Sequence, residues 1–255
     1  MPFLFVLRFL CCLRVLCVNL FFVSIAENIS AIRERISSAA HRAGRNPDSV
    51  ALMAVSKTRP AEDIRAAYEA GQRLFGENRV QEFAAKSGAL RDLSAAEFHL
   101  IGHLQSNKSA KAAELFHAVD SLDSLKLAER LNAAAQSLNV RLSVLIEINI
   151  GGEAAKTGLA PDAAELIDLL SAAPRLSSLD FRGLMTVPPF TDDPEGARPY
   201  FRTLRELRDR LAIQFPALTL RELSMGMSHD FEVAIEEGST CVRVGTAIFG
   251  ARSYA

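Results

Sequence analysis

VALMAVSKTRPAEDIRAAYEAG, residues 50–71, is the stretch whose reading decides the fold. Val50 to Val55 is a short continuous apolar run, the pattern of a strand covered on both faces. It stops at Ser56-Lys57. Pro60 then suits the first position of a helix, Glu62 and Asp63 complement its N-terminal dipole, and Gly71 ends it. The same unit recurs down the chain. The pattern predicts strands over 50–57, 73–77, 98–104, 117–121, 143–150, 181–187, 222–226 and 241–245. Helices are predicted between them, over 60–70, 79–91, 107–115, 124–138, 161–173, 194–214 and 229–237. Caps are expected at Asn78 with Gln81, Ser106, Pro161, Asp193-Pro194 and Ser228. Regular alternation over this length indicates an α/β fold, a closed (β/α)8 TIM barrel. An open doubly wound sheet would need a phosphate fingerprint after the first strand, and none is present.

Little chain remains after the eighth strand for a last helix. A helix over 25–43 is predicted from the spacing of Ile25, Ile29, Ile32, Ile36, Ala39 and Ala43. It stands in for the missing helix, beside strands one and eight. Residues 25–255 are therefore expected to form a single barrel domain.

The 255 residues are 49% hydrophobic and 23% charged, which excludes disorder and collagen-like structure. A formal net charge of −1 with no long basic run argues against nucleic acid as partner. The first segment differs from the rest. Residues 1–26 carry Arg8 and Arg14, no acid, and Cys11, Cys12 and Cys17. The two arginines interrupt the apolar run, so a membrane-spanning helix does not fit. Ser24-Ile25-Ala26 resembles a small-x-small cleavage site, but the charges fall inside the apolar stretch, where a signal peptide does not have them. Ser24 and Glu27 also make a capping box for the first helix. The favoured expectation is that residues 1–24 extend the natural product, which begins between Val15 and Val23. Only Cys241 remains in the body, as in proteins of a reducing compartment.

The active site of such a barrel lies at the C-terminal ends of its strands. Lys57 sits there, and alternation gives it the face of Met53 and Val55. Against an apolar floor, desolvation lowers an amine's pKa and leaves it nucleophilic toward carbonyls, which suits Schiff-base chemistry. The competing reading is a lysine that snorkels to solvent. Arg243 shares a face with Cys241 and Gly245 on the eighth strand, next to the first in a closed barrel. It is expected to stand beside Lys57 at the mouth, or to pair with a carboxylate such as Glu222. Ser224-Met225-Gly226 follows the seventh strand and Gly245-Thr246 the eighth, where barrels commonly hold phosphate. Simple turn glycines are the alternative. An amine, an inward arginine and a phosphate cradle together describe a site for pyridoxal phosphate. Asn78 is either a helix cap or a neighbour of the cofactor's phenolic oxygen. His103, Glu147, Asn149 and Met185 are further rim residues. His99 and His103 lie about 13 Å apart on a strand, so no metal site is expected from them. Gly151 to Thr157 lacks the glycine positions of a P-loop.

AVSKTRP (54–60), FGENRVQE (75–82), FHLIGHLQSNK (98–108), FRGLMTVPP (181–189) and LSMGMSHDFEVAIEEGSTCVRVGTAIFGARSY (223–254) closely resemble the pyridoxal phosphate homeostasis protein family. Members look like the N-terminal barrel of alanine racemase. The resemblance runs from about residue 25 to the end of the chain. It implies pyridoxal 5'-phosphate as cofactor, Lys57 as the cofactor-bearing lysine, and Arg243 facing the pyridine nitrogen. It also implies a phosphate held by Ser224 and Gly245-Thr246. An arginine there disfavours protonation of the ring, leaving a weaker electron sink. The expected function is to hold the cofactor and deliver it to apo-enzymes, in the cytoplasm and as a monomer, without turnover. The alternative is an amino-acid racemase, which needs a base on each face of Cα. In racemases of this barrel type the second base is a tyrosine of a separate β domain, which is not expected here. Tyr68 and Tyr200 are predicted on outer helices, and Tyr254 lies near the terminus.

Overall fold

The structure is a computed structural model that describes residues 24–153 and 156–251. Residues 1–23, with Cys11, Cys12 and Cys17, and Tyr254 fall outside the described residues. Eight parallel strands close into a barrel in sequence order: β1 Ala51–Val55, β2 Leu74–Glu77, β3 Glu97–Leu100, β4 Ala118–Leu122, β5 Leu142–Glu147, β6 Leu179–Met185, β7 Glu222–Met227 and β8 Cys241–Val244. The helices are α1 Ile25–Arg42, α2 Ala61–Glu69, α3 Val80–Ser87, α4 Ser109–Leu115, α5 Leu125–Ser137, α6 Ala164–Ala172, α7 Arg198–Gln214, α8 Phe231–Glu236 and α9 Thr246–Phe249. Every predicted element is present.

Strand alternation sorts the side chains into two layers. On β1, Leu52 and Ala54 join the apolar cluster that the strands share with the helices. Ala51 and Cys241, paired in register, line a cavity inside the barrel. Their parity carries Met53, Val55 and Arg243 inward as well. The apolar core is therefore mainly the shell between strands and helices, and polar groups occupy much of the interior.

α1 begins at the predicted capping box: Ser24 Oγ accepts from Glu27 N, and the Glu27 carboxylate accepts from Ser24 N at 2.8 Å. Its Ile29, Ile32 and Ile36 are buried, and it packs against α2, α8 and α9. Asn28 Nδ2 donates to Ile248 O at 2.9 Å, tying the first helix to the single turn after β8. α1 thus occupies the eighth helical place.

Several predicted ends move. α6 starts three residues past Pro161, and ahead of it Ile148 bridges Leu159. Of the predicted caps, Asp193 caps a short 3-10 turn, where its carboxylate accepts from Glu195 N. Asn78, Ser106, Pro161 and Ser228 do not cap: α3 follows Arg79, α4 follows Lys108, and α8 follows Asp230, each without a side-chain bond to the helix. Asp230 turns back instead, accepting from Met227 N at 2.7 Å.

The lower, N-terminal end of the barrel holds a cavity of about 500 Å³ lined by His99, Asp120, Glu222 and Cys241 among others. Burial pushes the Cys241 thiol up to about 12. Asp120 is buried, and its Oδ2 lies within hydrogen-bond distance of His99 Nδ1, at 3.3 Å. Burial opposes a charge on His99, but the field and hydrogen bond of Asp120 outweigh it, and the net shift is upward. A histidine raised on folding contributes stability that is complete below its unfolded value, near 6.5, and is lost as pH rises through the folded value. The stability gap between the parent and His99→Gln should therefore narrow as pH rises above about 6.5. Urea unfolding at a series of pH values reads this, and a gap independent of pH would remove His99 from that role.

Candidate functional site

The upper rim is built from the turns after the strands. β1 ends at Val55, Ser56 is buried, and Lys57 follows half-buried on the rim. The interior beneath it is set by strand register. Met53 pairs with Arg243 and Ala54 with Val244, so Arg243 springs from a layer below Lys57 rather than level with it. Its side chain is buried and crosses beneath the rim. Nη1 donates to Ser224 Oγ at 2.8 Å, and Nη2 donates to Thr186 O at 2.6 Å. Thr186 is anchored in turn, its hydroxyl donating to Ile148 O at 2.6 Å.

The expected pairing of Arg243 with Glu222 is not made. Glu222 binds Arg182 at 2.7 Å near the opposite end. Among the described residues no carboxylate lies within ion-pair distance of Arg243. Burial pulls its pKa down, against the more distant fields of Cys241, Asp120, Asp230 and Glu147. A buried guanidinium whose bonds go only to neutral oxygens is expensive, and it favours an acceptor or anion brought in from the rim.

The seventh strand borders this corner. Ser224 is a residue of β7, and its hydroxyl accepts from Arg243. Met225 faces the shell of apolar side chains, so only its backbone is available to a ligand. The loop hydroxyl is Ser228, whose Oγ accepts from Gly245 N at 3.4 Å. By residue type Ser228 reads as a helix cap; its place directly after a strand end is the sequence signal for the loop. Thr186 was also missed, because it acts through its carbonyl, which every residue type has.

Gly226 shapes this corner. Its φ is +92°, and an added Cβ would stand 2.6 Å from Ala234 Cβ and 2.9 Å from Phe231 Cα. Only glycine lets the end of β7 bend onto α8 and turn Ser228 toward Gly245. Gly245 and the exposed Thr246 complete this side of the rim.

On the other side stands Asn78, just past β2, half-buried and without a capping bond. Glu147, at the end of β5, accepts from Thr157 Oγ1 at 3.0 Å. Burial raises its pKa against that bond. His103 is exposed and meets Asp123 at 3.1 Å. Met185 is fully buried. Asn149 is committed to its own loop, bonding Glu153 O at 2.9 Å. Among the described residues no group of three or more His, Cys, Asp or Glu is placed to hold a metal ion. No helix there is long and apolar enough to cross a membrane.

A parallel eight-stranded barrel with a rim lysine, a buried arginine and a glycine-bent corner defines a class, the alanine racemase N-terminal domain. That family matches residues 28–253. Within it the chain belongs to the pyridoxal phosphate homeostasis protein family. It is 47% identical over 228 residues to the pyridoxal phosphate homeostasis protein of Aquifex aeolicus, covering 89% of this chain and 98% of that one. The Escherichia coli protein of the same name is 45% identical over 237 residues, covering 90% and 97%. PipY of Synechococcus elongatus, solved with PLP bound, superposes with a TM-score of 0.75 at 41% identity, over 89% of this chain and 100% of PipY. An alanine racemase of Clostridium difficile shares only the fold, at 15% identity and a TM-score of 0.61, over 89% of this chain and 58% of the racemase.

The Gly226 corner is testable without any ligand. Gly226→Ala should lower the unfolding free energy by about 2–3 kcal/mol, from the positive φ and the crowding against α8. Urea denaturation measures it, and a loss below ~0.5 kcal/mol would show that the corner relaxes freely.

Proposed function

We propose that the chain binds pyridoxal 5'-phosphate as a Schiff base on Lys57 and serves intracellular supply of the cofactor rather than turnover. The observation that carries this reading is Arg243: a buried cation that, among the described residues, has no carboxylate beside it and bonds to Ser224 and Thr186 O. A bound cofactor would supply an electrophilic aldehyde carbon, and Lys57 would be the amine that holds it. Arg243 would meet the ring nitrogen as a donor, which disfavours its protonation. Gly226, Ser228, Gly245 and Thr246 receive the phosphate, with Ser224 holding Arg243 in place. Asn78, just past β2, would be the neighbour of the phenolic oxygen. The names of the relatives and the bound PLP in PipY support the same cofactor for this chain.

A non-catalytic role is favoured over racemisation by where the tyrosines lie. Among the described residues, Tyr68 is on α2 under the Arg73 guanidinium, 3.9 Å from the ring centre, and Tyr200 is on α7. Both belong to the outer layer of helices, away from a second face of a substrate Cα. The partners in this reading are the cofactor and cytoplasmic apo-enzymes that depend on it, with the carrier acting as a monomer.

Borohydride reduction of the PLP-saturated protein should add the cofactor's mass to the Lys57 peptide. Lys57→Ala should abolish that adduct, and an undiminished adduct at the rim in the variant would refute the assignment. Arg243→Gln should weaken PLP retention by about tenfold or more, the worth of a charged hydrogen bond, and shift the absorbance of the bound cofactor. An unchanged spectrum and affinity would remove Arg243 from the ring.

A further inference from the structure

Lys57 sits on a turn that other residues hold unusually firmly. Glu77, the last residue of β2, is fully buried. Its Oε1 accepts from Ser56 Oγ at 2.5 Å and lies 2.8 Å from Lys86 Nζ. Lys86, on α3, donates further to Ser56 O and Arg59 O, each at 3.0 Å. An ammonium has three hydrogens, and here all three are directed. The two carbonyls it grips flank Lys57 and Thr58. One helical turn earlier, Glu82 Oε1 accepts from Thr58 N. Thr58 has φ +62°, a left-handed conformation that costs a β-branched residue about 1–2 kcal/mol.

Stability alone does not account for this arrangement. Glu77 Oε2 has no hydrogen-bond partner among the described residues, and burial raises the Glu77 pKa against the pull of Lys86. A buried pair with one oxygen unmet contributes little net folding energy. What it does contribute is a fixed backbone on both sides of one residue. A lysine has four side-chain torsions, so precise placement of its amine starts with a fixed Cα.

We propose that Glu77, Lys86 and Glu82 form a clamp on residues 56–59 that sets the position and exposure of the Lys57 amine. None of the three touches the cofactor in this account; they are positioning residues for Lys57. The inference deepens the Schiff-base reading and rests on it for its purpose, but the geometry of the turn is testable without the cofactor.

The experiment is competitive labelling of the cofactor-free protein with acetic anhydride across pH, read by peptide mass spectrometry, with exposed Lys126 as internal reference. The variants are Glu82→Gln, Lys86→Met, and the double variant Glu77→Gln/Lys86→Met, which removes the pair without stranding a buried charge. The clamp predicts that the Lys57 labelling rate changes by about threefold or more and that its pH profile shifts, with Lys126 unchanged. PLP-dependent, borohydride-fixed adduct should fall in parallel in the same variants. Labelling of Lys57 that matches the parent in both Glu82→Gln and the double variant would overturn the clamp. If Lys86→Met fails to fold, those two variants still decide. Absence of the adduct in the parent would instead defeat the Schiff-base reading, while the labelling still judges the clamp.

Discussion

Ala51 to Ala54 of β1 hydrogen-bond alongside Cys241 to Val244 of β8, and this seam turns a curved sheet into a closed barrel. Residues nearly two hundred positions apart in the chain become neighbours through it. Met53 is set beside Arg243, and Gly245 comes against Val55. Without the seam, the loops after the seventh and eighth strands would have no fixed relation to the turn that carries Lys57. α1 reinforces the same edge from outside. Arg35 and Arg42 pair with Glu232 and Glu236 on α8, and Asn28 bonds the turn after β8.

The distribution of polarity follows from this closure. Apolar side chains fill the shell between strands and helices, where both surfaces demand them. The interior is divided between two ends. The lower end holds the His99 and Asp120 pair with Glu222 and Cys241; the upper end holds Arg243 and the rim. Among the described residues the buried side-chain atoms without a hydrogen bond are Glu77 Oε2 and Asp120 Oδ1, one toward each end. Buried polar atoms of this kind cost folding energy.

Much of the candidate site is legible in sequence because its signals are local. A lysine at the end of an apolar run, small residues after the seventh and eighth strands, and an inward arginine two residues past Cys241 are all visible in one dimension. The errors came where one residue type serves two purposes. Ser228 and Asn78 have the chemistry of helix caps, yet their helices begin later, after Asp230 and Arg79. Ser224 lies within β7, where its hydroxyl meets the Arg243 guanidinium. The partner of Arg243 could not be chosen between Glu222 and a ligand until the strands had a register.

Composition and periodicity by themselves determined the class of fold, the order of its elements, the helix that replaces the missing one, and the lysine at the rim. These depend on near neighbours in the chain, through alternation, spacing and turn residues. Tertiary structure alone decided that Arg243 leans on Ser224 and Thr186, that Ser228 meets Gly245, and that Glu77 and Lys86 grip the Lys57 turn. Those contacts join separate strands and helices, and their geometry exists only once the barrel has closed and each strand has taken its register.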